Sequence, residues 1–342
     1  MLDDLKMIHE RDAQDALGVA EKQWQQLQYE FTITPVLETG NISNVVFAGM
    51  GGSALAALVA QTWPGLPIPF EICRDYTIPA YVGKDTLFFA SSYSGNTEET
   101  LSAIDEAEQK GARIAVITSG GKLAEIAKEK QYSLVTVPSG LQPRHAVFYS
   151  LKALLTITDA AGLTNKAADT LAAEADFVQK ILQPWLPAVP TKDNVAKQIA
   201  LEVIGKSAVV YAGPKLWPAA YKWKISFNEN AKHIAWANQF SEFNHNEMIG
   251  WSKQPVDKPY AVIELHSKLE HPRIQKRFTV AQRLLSGLRP DPIIVEAGGS
   301  NLLEQLLYTI VLGDFVSLYT ALLNGINPTP VELIEKFKKL MA

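Results

Sequence analysis

A single cysteine, Cys73, stands in 342 residues, so no internal disulfide can staple the chain. The opening run Met1-Leu2-Asp3-Asp4-Leu5-Lys6 lacks the basic-then-apolar order of a secretion signal, and the two absences together make a reducing cytoplasm the expected compartment. An excess of positive charge is missing too. The 32 Lys and Arg against 36 Asp and Glu leave a net charge of −4, which provides no basic field for a nucleic acid backbone. Long unbroken apolar runs are absent: between Leu302 and Ile326, Glu304, Gln305, Asp314 and Asn324 interrupt the span a bilayer requires, so no membrane partner is expected. That stretch is expected to be a buried helix, part of it facing a second subunit, because a helix apolar on most sides needs cover on most sides. His-x-x-x-His and paired-cysteine spacings do not occur, so neither metal nor cofactor is expected.

What the sequence does contain is alternation. From about residue 44 to 139, short β-rich runs (Val45 to Ala48, Thr86 to Ala90, Arg113 to Thr118, Leu134 to Val137) alternate with Ala-, Glu- and Lys-rich helical stretches. This order predicts parallel strands with crossover helices, a doubly wound α/β sheet whose ligands belong at the strand C-termini. The opening recurs: Val45-Val46-Phe47-Ala48-Gly49 corresponds to Val209-Val210-Tyr211-Ala212-Gly213, followed by strand-like Tyr260 to Leu265 and Pro292 to Val295 with Phe278 to Leu288 helical between them. Length also favours two domains. The expected division is 1–162 and 163–342, with the Ala-rich segment from Lys166 to Leu182 as the first helix of the second half and prolines 184, 187 and 190 ending it.

Two loops suggest a phosphate. In the first, a strand runs into Gly49-Met50-Gly51-Gly52-Ser53 ahead of a helix-like Ala54 to Gln61, so bare backbone and a helix N-terminus can approach an anion. A tight turn capped by Ser53 accounts for the same residues. Gly49-x-Gly51-x-x-Ala54 also satisfies a dinucleotide fingerprint, with Glu71 or Asp75 where a ribose acid would fall. The second loop argues against that: Leu87-Phe88-Phe89-Ala90 leads into Ser92, Ser94 and Thr97 around Gly95, compact donors suited to the several oxygens of a phosphate monoester. A capping box formed by Asn96 and Glu99 explains Asn96 and Thr97 but leaves Ser92 and Ser94 without a role. Farther on, Phe227-Asn228-Glu229-Asn230 and Phe243-Asn244-His245-Asn246 echo one another and set a carboxylate and an imidazole in matching polar settings, the equipment for moving hydrogens on a carbon skeleton.

The run Ser92-Tyr93-Ser94-Gly95-Asn96-Thr97-Glu98-Glu99-Thr100 and the Gly51-Gly52-Ser53 turn resemble the sugar isomerase (SIS) domain family. With Phe227 to Lys232, Phe243 to Trp251 and Thr329-Pro330-Val331, the likeness extends over nearly the whole chain to the bifunctional phosphoglucose/phosphomannose isomerase branch, built from two SIS domains. The resemblance implies a phosphosugar substrate and a phosphate site in the Gly51-Gly52-Ser53 turn with Ser92, Ser94 and Thr97. It also implies a His at position 245 that completes the site of a second subunit, hence a homodimer, and a C-terminal-helix lysine that helps to open the sugar ring.

The chemistry agrees residue by residue. Glu229 is the candidate for the carbon proton, and a partly exposed Glu near a helix start is the plain alternative. His245 suits ring opening because imidazole titrates near neutrality. Arg144, in Gln142-Pro143-Arg144-His145-Ala146, follows a strand C-terminus and can stabilise an enediolate, where an exposed helix-start arginine would be poorly placed for the dipole. Lys338 borders the Ile334, Phe337, Met341 stripe and is preferred to Lys336. Thr329 matches the family's Thr-Pro-Val segment, which the resemblance implies is near the region that admits both sugar epimers. The seven Trp residues are read as core and interface packing. Two other readings stay open: a phosphosugar-binding regulator without turnover, which would need neither Glu229 nor His245, and a dinucleotide oxidoreductase.

Overall fold

Short β-branched and aromatic runs become strands, and a helix follows each of them except β2, as the computed structural model of the chain shows for residues 1–37, 40–253 and 259–341. Three short helices open the chain, α1 (Leu5–Arg11), α2 (Ala16–Glu21) and α3 (Trp24–Leu27). The first sheet then builds from β1 (Asn44–Ala48), α4 (Gly51–Thr62), β2 (Phe70–Cys73), β3 (Thr86–Ser91), α5 (Glu98–Gln109), β4 (Arg113–Thr118), α6 (Gly121–Glu129) and β5 (Ser133–Thr136). Next come α7 (Val147–Ala160), α8 (Ala167–Ala173), α9 (Ala175–Ile181) and α10 (Val195–Val203). The second sheet follows with β6 (Ser207–Ala212), α11 (Trp217–Glu229), β7 (Ala235–Gln239), α12 (Glu247–Gly250), β8 (Tyr260–His266), α13 (Pro272–Leu284) and β9 (Ile293–Glu296), and α14 (Leu302–Leu323) and α15 (Glu332–Met341) close the chain.

The chain divides into two compact units, one of Gln23–Asp176 and one that joins Met1–Lys22 to Phe177–Ala342. In the first, five parallel strands lie in the order β2-β1-β3-β4-β5. β3 is buried at every position, so it reads Leu-Phe-Phe-Ala with no polar alternation. The second unit repeats the plan with β7-β6-β8-β9, all parallel. Both are the doubly wound α/β sheets expected.

The division falls later than residue 162, and local chemistry explains why. Asp159 accepts the N–H groups of Ala167 and Ala168 at 3.0 and 2.9 Å, and the buried Lys152 ammonium donates to Ala168 O at 3.0 Å, which ties α8 to α7. The expected single helix of 166–182 is two, α8 and α9; α8 stays with the first unit, and α9 from Phe177 onward belongs to the second. The N-terminal residues join that unit through Asp3, which accepts from Thr191 N–H at 2.8 Å and pairs with the buried Lys197 at 3.1 Å. α14 is long and apolar enough to cross a membrane, yet it is buried on all sides within its unit, as the interrupted apolar run predicts.

Candidate active site

In the unit Gln23–Asp176 the strand order reverses between β1 and β3, the place where a doubly wound sheet opens a crevice at its strand C-termini. The loops that meet there are the two rich in glycine and hydroxyls. α4 begins at Gly51, so Gly51, Gly52 and Ser53 form the first helical turn rather than a loop ahead of it. Their N–H groups thus belong to the positive end of a helix of 12 residues. Met50 is the N-cap, and the Ser53 Oγ instead accepts Tyr93 N–H at 3.1 Å, tying this turn to the second loop.

The second loop is organised from inside. Buried Ser92 shares a hydrogen bond with Thr97 Oγ1 at 2.8 Å and accepts Gly95 N–H at 3.1 Å, while Ser94 is exposed. Gly95 has φ +72° and Gly120 O lies 1.8 Å from where a Cβ would sit, so only glycine closes the loop. The capping box does not form: Thr97 is the N-cap of α5 but its side chain makes no capping bond, and Asn96 Oδ1 accepts Lys122 N–H at 3.0 Å at the start of α6. Tyr93, to which sequence reasoning gave no role, links three segments. Its hydroxyl donates to Pro138 O at 2.8 Å and accepts Leu141 N–H at 3.0 Å, while its carbonyl accepts from Ser119 Oγ at 2.6 Å.

That bracing fixes the approach to Arg144, which sits in a 3-10 turn at Pro143–His145 and is fully buried, not an exposed helix-start arginine. A Cβ at Gly52 would lie 2.8 Å from both Arg144 N and Pro143 C, so the glycine turn packs directly on the arginine's backbone. Gly51, Gly52, Ser53, Ser92, Ser94, Thr97 and Arg144 thus gather at one end of one unit. A helix N-terminus, several hydroxyls and a buried guanidinium together suit a phosphate monoester or an oxyanion.

The second unit has the same reversal between β6 and β8, but its crevice is filled. Glu270, in the loop after β8, is buried, and its Oε1 accepts Lys215 N–H at 2.7 Å in the turn that leads into α11. A Cβ at Gly213 would lie 2.3 Å from that oxygen. Burial pushes the Glu270 carboxyl above its ordinary range, against the hydrogen bonds it receives. The counterpart of the glycine turn therefore holds the protein's own carboxylate.

Glu229 is half-buried and is the last residue of α11, so the helix-start alternative does not describe it. A carboxylate at the negative end of a helix is poorly placed by about 0.3–1 kcal/mol, which packing alone does not explain. Behind it runs a buried polar chain: Lys222 pairs with Asp314 and donates to Ser226 Oγ at 2.9 Å, Ser226 Oγ donates to Asp314 at 3.1 Å, and Asn230 Nδ2 donates to Ser317 Oγ at 2.9 Å. β7 then runs about 13–17 Å in its five residues before the chain reaches His245. His245 is exposed in the 3-10 turn Glu242–His245, held by Phe243 against Tyr211 and Phe240. One copy of the chain thus sets Glu229 and His245 at opposite ends of the same strand. The segment before Thr329 lies beside the Glu229 turn, since the Lys232 ammonium donates to carbonyls of both. Lys338 is exposed on α15 and pairs with Glu335 at 3.2 Å. α15 buries none of its residues, so its apolar stripe is open.

Comparison with known proteins agrees with this architecture. Residues 41–164 match the SIS domain model and residues 192–341 match the bacterial phospho-glucose isomerase C-terminal SIS domain model, so the two sheets are two SIS domains. The chain is 37% identical over 306 residues to a bifunctional phosphoglucose/phosphomannose isomerase of Caldicellulosiruptor bescii, covering 88% of this chain and 90% of that protein. It is 33% identical over 227 residues to a D-glucosamine-6-phosphate 4-epimerase of Sulfolobus acidocaldarius, covering 66% and 70%. Among solved structures, a glucose-6-phosphate isomerase like protein from Thermus thermophilus superposes with a TM-score of 0.66 over 97% of this chain and 99% of that one, at 19% identity, a likeness of fold.

Proposed function

Because the chain belongs to the bifunctional phosphoglucose/phosphomannose isomerase family, we propose that it is a phosphohexose isomerase interconverting glucose 6-phosphate and mannose 6-phosphate with fructose 6-phosphate. The reaction proceeds through a cis-enediolate and needs no metal. The observation that carries this reading is the crevice between β1 and β3, where Gly51, Gly52, Ser53, Ser92, Ser94 and Thr97 converge with buried Arg144.

The sugar's phosphate takes its hydrogen bonds from that crevice. Glu229 removes the proton from carbon 2 and returns it to carbon 1, a general base step contributing about 10²–10⁴-fold. Arg144 stabilises the charge that builds on the enediolate oxygens, on the order of 3 kcal/mol. His245 and Lys338 open the ring by passing protons to the ring oxygen and from the anomeric hydroxyl. The separation of Glu229 from His245 by the length of β7 supports a homodimer in which Glu229 works with His245 of the partner subunit.

The test is incubation with each of the three hexose 6-phosphates in deuterated water with chelator present. Conversion with deuterium at the transferred position is expected, and Glu229→Gln should abolish exchange while sugar phosphate still binds. Failure with all three sugars refutes the activity, and conversion only on adding metal refutes the mechanism. Binding of all three without turnover would leave a regulator. Glucosamine 6-phosphate serves as the control, since inversion at carbon 4 would place the chain with its epimerase relative instead.

A further inference from the structure

Where the chain leaves α11 it turns through a residue that helix ends seldom use there. His233 N–H and Ala231 N–H both bond Phe227 O, at 3.1 and 3.2 Å, and Lys232 between them takes a left-handed backbone with φ +49°. Glycine or asparagine normally fills such a position, because a Cβ there costs on the order of 1 kcal/mol. The lysine side chain supplies a reason for the exception. Its ammonium faces four carbonyl oxygens, Glu229 O at 3.0 Å, Asn230 O at 3.3 Å, Asn327 O at 3.1 Å and Pro328 O at 3.0 Å.

An ammonium carries three protons, so four carbonyls at these distances engage all of them. Two of the acceptors belong to the turn that bears Glu229 and two to the segment leading into Thr329. From the core side the same turn is held by Asn230 on Ser317, and Asn324 Nδ2 donates to Ala231 O at 3.1 Å. The cation also sits at the negative end of α11, where positive charge is favoured. A helix cap needs only the first two carbonyls; the other two join separate parts of the chain at Glu229.

We propose that Lys232 is a positioning residue for Glu229: its ammonium ties the Glu229 backbone to the 327–328 segment and so fixes where the carboxylate acts. This rests on the isomerase reading above. Lys232 works through Glu229 and does not itself handle the sugar. A base misplaced by about 1 Å costs on the order of 10²-fold in rate, whereas the hydroxyl loops are built within a different unit of the chain.

The experiment uses the full-length chain with Lys232→Gly and Lys232→Asn. Both replacements accept a left-handed backbone, so the turn is kept while the ammonium is lost, and the unfolding midpoint measured alongside reports the stability that the four bonds supply. We expect kcat to fall about 10–100-fold with KM for fructose 6-phosphate within about 2-fold. In deuterated water, a larger share of turnovers should carry solvent label, because a loosely held base has more time to exchange its proton. A kcat equal to the parent's in either variant overturns the inference, and so does a loss that matches a loss of folded protein, which would make Lys232 a helix cap only. If the parent chain converts none of the three sugars, the isomerase reading fails and this inference falls with it, so the two failures are told apart.

Discussion

Removing the ammonium of Lys222 should be among the most damaging single changes available in the second unit. Lys222 is 2% exposed and Asp314 is 2% exposed, and the pair joins α11 to α14. In Lys222→Met the stem volume is nearly kept, but Asp314 is left buried with Ser226 Oγ at 3.1 Å in place of a full counter-charge. Breaking a buried pair from one side costs about 3–5 kcal/mol, because the surviving charge keeps its desolvation penalty. Replacing both, as Lys222→Met with Asp314→Leu, removes that penalty and should be within about 1 kcal/mol of the parent or more stable. Urea unfolding measures the contrast, since Trp223, whose indole N–H donates to Thr309 O at 2.7 Å, lies one residue from Lys222 on the same helix. With an m-value of about 2 kcal/mol/M, the single change moves the midpoint down by about 1.5–2.5 M. A single variant that shifts stability by less than about 0.5 kcal/mol, the range of ordinary surface changes, refutes the reasoning. So does a double variant as unstable as the single one, for then the pair was never the source of the cost.

Two other changes probe the crevices at the strand C-termini. Gly52→Ala puts a methyl 2.8 Å from backbone atoms of Pro143 and Arg144, so we expect about 1–3 kcal/mol of overpacking and a fall in kcat/KM of about 100-fold as Arg144 is displaced; kinetics within about 3-fold of the parent would show that the contact relaxes freely. Glu270→Gln tests the filled crevice through pH. Burial raises the Glu270 pKa in the folded state, so its contribution to stability is present below the ordinary Glu value and is lost as pH rises through the raised one. The melting temperature of the parent relative to Glu270→Gln should therefore drop as pH rises from about 4 toward neutrality, and a difference constant over that range would contradict the raised pKa.

The strands that hydrophobic pattern revealed are those whose own residues carry an unbroken apolar run. β1 and β3 read as continuous apolar runs because helices cover them, and β4, β6 and β8 do so nearly as well. β2 and β7 escaped because they lack the apolar runs that still mark the other two edge strands, Leu134-Val135 in β5 and Ile293-Ile294-Val295 in β9. β2 is Phe-Glu-Ile-Cys, mostly half-exposed, and β7 is Ala-Trp-Ala-Asn-Gln, whose polar end has little strand propensity of its own. Pairing to β1 and β6 makes them strands, and pairing between distant residues leaves no local signature. The hydroxyl loop was legible because Ser92, Ser94 and Thr97 exceed what capping needs, whereas Tyr93 was not, since its hydroxyl reaches Pro138 and Leu141 far along the chain.

Glu229 shows the limit most clearly. Asn-Glu-Asn looks like a helix start, because Asn and Glu are N-terminal residues by preference. The helix instead begins at Trp217-Pro218, where proline at the second position is tolerated, and Glu229 ends it. A carboxylate at the wrong end of a helix and a lysine in a glycine conformation three residues later are two local rules broken within one turn. Each is unfavourable alone, yet the Lys232 ammonium offsets both by gathering the carbonyls that the helix end leaves open. Local preference misread this turn because its stability comes from Asn327 and Pro328, which no window around Glu229 contains.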